Sequence, residues 1–279
     1  MQMSAAPFYQ SAVPAGIKED YHVIREEIGI VAVADGVSEA YVGKPIDYGL
    51  WESGGQMSSM QLCNTLFCAR DGFLADLLLE GNKRIHAAHL SKNMDYQKQA
   101  VGGACVAACQ RLGDEVFLIV AGDSGILWHD AMGAHYFTNF DEVAYVLEEN
   151  GNLFFEQCAI AAKWLELGSG WQVYDSFFAK KQKYRANAHL GSGGHAIFNG
   201  DDAVKNCWTE KRVSVIGMDW MILLTDGFLT RDFHPSKVNS VAEAYNRDGI
   251  PGMLKLAGMG PELPHVKRPE GTAIVLTFK

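Results

Sequence analysis

The chain has 279 residues, of which 48% are hydrophobic and 20% charged. That balance provides for a large core and excludes disorder as the default. A net charge of −9 and a pI near 5.5 exclude broad nucleic-acid or anionic-membrane binding, which needs clustered Lys and Arg. The first residues, MQMSAAPFYQSAVPAG, lack a basic start followed by a long apolar segment, and no later stretch approaches a membrane span, so a cytosolic location is expected.

No repeat, low-complexity segment or Pro-rich linker divides the sequence, and a single domain over 1–279 is expected. After a short lead, residues 20–24 and 29–34 read as a hairpin around Arg25-Glu26-Glu27. Helical spacing predicts one helix over 56–80 and a second over 82–96, together covering a sheet face. Strand-like runs at 103–110, 115–122 and 125–129, joined by short turns, predict a meander. Residues 141–150 carry helical spacing, a helix is expected around 155–167, and a basic aromatic stretch ends in KKQKYR. Strands are expected at 196–199, 212–215 and through the apolar run to Asp226, then a helix at 238–246 and a last strand at 272–278. Strands bunched at both ends around helices predict stacked sheets covered by helices. The six Cys, at 63, 68, 105, 109, 158 and 207, form no C-x-x-C pair and read as small core residues.

Two apolar runs end in Asp-Gly, GIVAVADG at Asp35-Gly36 and DWMILLTDG at Asp226-Gly227. Strands without polar alternation are buried on both faces, so a carboxylate at their end needs water, a helix N-terminus or a cation. Asp-Gly is also a common turn dipeptide. Glu19 and Asp20 before one strand, and Asp123 in AGDSG, extend the acidic set. These motifs contain no His or Cys, and such oxygen donors suit magnesium or manganese rather than zinc. Other chemistries lack their motifs. Ser124 has no G-x-S-x-G elbow, GSGGH at 191–195 is neither a Walker loop nor a dinucleotide fingerprint, and His86 and His89 have no carboxylate-rich partner motif.

The ordered set KEDYHVI, VAVADG, GGACVAACQRLGDEVFLIVAGDSGIL, WMILLTDGF and EGTAIVLTF resembles the metal-dependent protein phosphatases of type 2C, in order and spacing across nearly the whole chain. GGHAIFNGDDAV resembles a segment of divergent bacterial members. The resemblance implies an α+β fold, an αββα sandwich of two central, mainly antiparallel sheets. It further implies Mg2+ or Mn2+ as cofactor, two ions with a third, weaker one. Asp35 would bridge the ions, Glu19 and the Gly36 carbonyl would complete one and Asp226 the other. Asp20 would orient a metal-bound water, and Asp123 would help hold the third ion. Residues 141–195 would form a variable flap beside the site.

Two positions depart from the pattern. The phosphate-binding Arg falls on Ala15, leaving Lys18 as the nearest cation and Lys180, Lys181, Lys183 and Arg185 as flap candidates. The last ligand Asp falls on Pro269, leaving Glu270 beside it as the candidate metal ligand. The implied function is a serine/threonine phosphatase that hydrolyses phosphoserine and phosphothreonine in proteins by attack of a metal-bridging water. Its partners would be phosphoproteins, with a cognate kinase. The alternative is a weak or non-catalytic member acting as a regulatory or binding module.

Overall fold

A computed structural model describes residues 3–10, 18–37, 48–97, 101–142, 144–147, 150, 185–188, 193–228, 234–257 and 270–278. Within these residues the chain forms two five-stranded antiparallel sheets. The first sheet contains β2 (Tyr21–Arg25), β3 (Ile30–Val37), β4 (Gly103–Leu112), β5 (Glu115–Ala121) and β8 (Thr209–Ser214), in that order. The second runs β1 (Met3–Gln10), β10 (Gly271–Phe278), β9 (Met218–Leu224), β6 (Gly125–Asp130), β7 (Gly133–Thr138). Helices α1 (Gly54–Cys68) and α2 (Leu74–Ser91) cover the first sheet, and α3 (Val238–Asp248) with α4 (Ile250–Leu256) the second.

Strand alternation explains the layers. In β3, Val31 and Val33 join Leu118, Ile126, Leu223 and Ile274 in the core between the sheets. Their neighbours Ile30, Ala32 and Ala34 face the other way, onto Leu62, Leu66, Leu78 and Ile85 of α1 and α2. In β9 and β10, Ile222, Leu224 and Ala273 pack on Val241, Ile250 and Met253 of α3 and α4. The central strands of both sheets are thus apolar on both faces, which accounts for their lack of polar alternation.

Several sequence expectations are corrected. The 103–129 stretch is not a meander in one sheet. β4 and β5 pair, but β6 pairs with β7 and β9 in the opposite sheet, so the chain crosses between layers at Gly122–Ser124. The Asp-Ser turn has the composition of a hairpin, and only tertiary pairing distinguishes the two. The helices break at 69–73 rather than near residue 81, where Gly72 has a φ of +125° that side-chain-bearing residues rarely adopt. Residues 196–199 make only a single bridge, Phe198 to Ala104, instead of a strand. Strand β3 also continues through Asp35 and Gly36 rather than ending before them. The expected helix at 155–167, and most of the segment expected as a flap, lie outside the described residues.

The stretch after the bridge is held by side-chain amides. Asn139 Oδ1 accepts from the Gly122 and Ala196 amides (3.2 and 2.7 Å), and its Nδ2 donates to the Cys207 carbonyl at 2.7 Å. Asn82 on α2 accepts from the Gly200 amide at 2.9 Å and donates to the Asp201 carbonyl at 3.0 Å. His89 is buried as a neutral packing residue, held by Tyr48 Oη (3.1 Å) and the Gly102 carbonyl (2.8 Å), and burial lowers its pKa to about 4. Among the described cysteines, 63, 105, 109 and 207 are buried and Cys68 is exposed.

Leu223 is fully buried between the sheets. Leu223→Ala is expected to cost roughly 2–5 kcal/mol in denaturant unfolding. A loss below about 1 kcal/mol would contradict a close-packed inter-sheet layer.

Candidate functional site

The alternation that puts Val31 and Val33 between the sheets also aims Asp35 there, at the strand's end. Its cross-strand neighbour is Cys105. The second sheet ends at the same level. Gly125 and Ala273 both pair with Leu224, and the Thr225 amide extends the ladder to the Thr272 carbonyl at 3.0 Å. Asp123 precedes β6, Asp226 follows β9 and Glu270 precedes β10, so all three reach the mouth of the inter-sheet space. Asp20 enters from the start of β2, opposite the end of β3.

These acids feel one another. Burial first, then the charges of Asp20, Asp226 and Asp123, raise the Asp35 pKa well above the carboxylate range. Asp20, 1% exposed, is raised to about 7 by burial and by Glu270, against hydrogen bonds from Thr225, Thr272 and Asp35. Thr225 Oγ1 donates to Asp20 Oδ2 at 2.8 Å and accepts from the Thr272 amide at 2.9 Å, which fixes the carboxylate against β9 and β10. Exposure is graded, with Asp20 at the floor, Glu19, Asp35, Asp123 and Glu270 half-buried, and Asp226 open to solvent.

The N-terminus of α1 supports the 18–20 segment. Ser53 caps the helix, its Oγ accepting from the Gln56 amide at 3.0 Å, and it also donates to Glu19 Oε1. Gln56 Nε2 donates to the Lys18 carbonyl at 2.9 Å, and Ser59 Oγ to the Glu19 carbonyl at 2.5 Å. The fit is close. A Cβ on Gly36 would lie 2.7 Å from the Gly55 carbonyl and 2.8 Å from Glu19 Cβ, and one on Gly55 would lie 2.7 Å from Glu19 Oε1. Gly36 and Gly55 therefore let strand, helix and acid meet.

Glu270 turns one oxygen to Tyr9 Oη, which donates at 2.6 Å, and the other to the Glu19 amide, which donates at 2.7 Å. Lys18 Nζ lies 4.4 Å from the Tyr9 ring centroid and 5.1 Å from that of Tyr21. Arg25, the first arginine of the sequence, is at the far end of β2, where it bonds Glu27 and the Phe67 carbonyl at the end of α1. Arg185 donates from Nε to the Gly193 carbonyl at 2.7 Å. Lys180, Lys181, Lys183, Ala15 and Pro269 lie outside the described residues.

The structure therefore brings together every acid singled out from sequence, with Lys18 at the rim. Sequence reasoning missed Tyr9, Ser53, Gln56, Ser59 and the supporting role of Thr225 and Thr272. The S-x-x-Q spacing of Ser53 and Gln56 is a helix-start signal that could have found the first two on α1. Among the described residues, no group of three or more His, Cys, Asp or Glu side chains is arranged, as it stands, to hold a metal ion. The donor chemistry nevertheless fits a hard cation: the set is all oxygen, and its mutual repulsion, seen in the raised Asp20 and Asp35, is what a cation would relieve.

No family model matches the chain, and no curated protein matches it. Solved structures do. The Mycobacterium tuberculosis serine/threonine phosphatase PstP/Ppp is 14% identical, with all of both chains covered and a TM-score of 0.59. The catalytic domain of PstP in complex with two manganese ions gives 15% identity over 99% of this chain and 97% of that one, at 0.59. Stp1 from Staphylococcus aureus gives 12% over 100% and 96%, also at 0.59. The chain thus has the fold of the bacterial type 2C serine/threonine phosphatases.

Asp20 supplies a pH test. A carboxyl whose folded pKa is raised from 3.8 to about 7 keeps a proton that the unfolded chain releases. Its stabilising effect is complete below pH ~4 and is lost as pH rises toward 7. Metal-free wild type is therefore expected to lose stability relative to Asp20→Asn between pH 5 and pH 8, on the order of a few kcal/mol in denaturant melts. A difference between the two that does not change with pH would refute the assignment. The neutral His89 is common to both proteins and cancels, whereas Asp35, raised in part by Asp20, titrates with it, so the difference reports the Asp20–Asp35 pair.

Proposed function

We propose that this chain is a Mg2+- or Mn2+-dependent phosphatase acting on phosphoserine and phosphothreonine in proteins. The observation that carries the reading is Asp35, raised by burial and by three neighbouring carboxylates at the mouth of the two sheets. That arrangement occurs in a fold shared with serine/threonine phosphatases. Asp35, Glu19, Asp226, Glu270 and the Gly36 carbonyl would hold the ions, with Asp123 available to a third. Bound divalent cations supply the Lewis acidity that activates water and neutralises phosphoryl oxygens.

The chain's own groups do the rest. Asp20, held in place by Thr225, would orient an attacking water in its reach and accept its proton as a carboxylate. Lys18, adjacent to Glu19 in sequence and seated on Tyr9, would attract the phosphate as a point charge, without the paired donors of a guanidinium. Among the described residues no helix is long and apolar enough to cross a membrane. A phosphoprotein substrate is read from the serine/threonine phosphatases that share the fold, and a cognate kinase is the expected source of that phosphate.

Hydrolysis of p-nitrophenyl phosphate and of a phosphothreonine peptide is expected to require Mn2+ or Mg2+. Asp35→Ala and Asp226→Ala are each expected to reduce kcat by about a hundredfold or more. Mn2+ binding without turnover in the wild type would overturn the enzymatic reading in favour of a regulatory or binding module. Turnover unchanged in both variants would move the chemistry to another site.

A further inference from the structure

The strand β1, which no sequence signal announced, places one residue against both unusual parts of the site. Tyr9 is opposite Thr272 in the β1–β10 register, two residues beyond Glu270. Its hydroxyl donates to Glu270 Oε1 at 2.6 Å, while the Glu19 amide donates to Oε2 at 2.7 Å. Each carboxylate oxygen accepts one bond here and retains a lone pair for a cation. The same tyrosine turns its ring to Lys18, whose ammonium lies 4.4 Å from the ring centroid, with the Tyr21 ring at 5.1 Å on its other contact. A lysine head is a mobile point charge on a four-carbon stem, and two aromatic faces confine it.

We propose that Tyr9 is a positioning residue that serves both halves of the site, its hydroxyl fixing Glu270 toward the metal-binding acids and its ring seating Lys18 as the phosphate-binding cation. The proposal rests on the metal-dependent reading of the acidic mouth. It deepens that reading by assigning the tasks of metal-side acid and phosphate-side cation to a pair coupled through one aromatic side chain. The hydroxyl and the ring can be separated by substitution. Tyr9→Phe keeps the ring and removes the bond to Glu270, whereas Tyr9→Ala removes both. Tyr9 is 43% exposed on an edge strand, so neither change opens a core cavity.

The test uses the full chain and two calorimetric titrations, Mn2+ into metal-free protein and inorganic phosphate into Mn2+-saturated protein. Tyr9→Phe is expected to weaken Mn2+ roughly 3- to 10-fold and to leave phosphate affinity within about twofold of wild type. Tyr9→Ala is expected to show the same Mn2+ loss and, in addition, a phosphate affinity lower by about 2- to 5-fold. Lys18→Met should reproduce the phosphate loss with Mn2+ unaffected. Wild-type Mn2+ affinity in Tyr9→Phe, or wild-type phosphate affinity in Tyr9→Ala, overturns the proposal. Asp35→Ala, run alongside, should abolish Mn2+ binding. If it does not, the metal reading itself has failed and the role of Tyr9 falls with it, whereas an intact Asp35 effect with silent Tyr9 variants rejects Tyr9 alone.

Discussion

Everything distinctive here follows from burying both faces of two sheets. With apolar layers on either side of β3, β4, β9 and β10, the strands have no polar face on which to carry chemistry. Polar function is displaced to the strand ends, and because the two sheets stop at the same level, their terminal acids meet. Asp20, Asp35, Asp123, Asp226 and Glu270 are gathered by this geometry rather than by attraction, and the raised Asp20 and Asp35 carry a penalty that the inter-sheet core must outweigh.

The supports around those acids make sense in that light. Hydroxyls and amides surround them: Thr225 on Asp20, Ser53 on Glu19, the Glu19 amide and Tyr9 on Glu270. Donors of this kind stabilise ionised carboxylates without adding a net charge that would compete with a cation. Gly36 and Gly55 permit the backbone approach that brings the cap of α1 onto Glu19. Mutual repulsion and local support are thus set against each other at one place, with the rest of the fold acting as the restraint.

The sequence disclosed this site unevenly, for physical reasons. Asp35 and Asp226 were legible less from Asp-Gly itself, which is a common turn, than from the unbroken apolar runs before them and the order of Glu19, Asp20 and Asp123 around them. The sandwich was legible from the same runs. β1 was not, since MSAAPFYQ contains Pro7 and has weak patterning; an edge strand tolerates both, because Pro7 need not donate to a second neighbour. The crossing from β5 to β6 was misread because Gly-Asp-Ser-Gly has the local composition of a hairpin, and which sheet a strand joins is decided by partners almost a hundred residues away. Glu270 could be placed near the site by counting from Thr272, but nothing near it in sequence indicates that its partners are Tyr9 and the Glu19 amide.

The pairing of β1 with β10 has a consequence for the order of synthesis. Tyr9 and Glu270 are 261 positions apart and the two strands join along their whole length. The second sheet then pairs an outer strand that precedes all its other strands in the sequence with a neighbour that follows them all. A ribosome-bound or C-terminally truncated chain would hold Asp20 and Asp35 without the strand that brings Glu270 and Thr272 to them. The acidic mouth is therefore assembled only once translation has passed β10, and not when the first sheet folds.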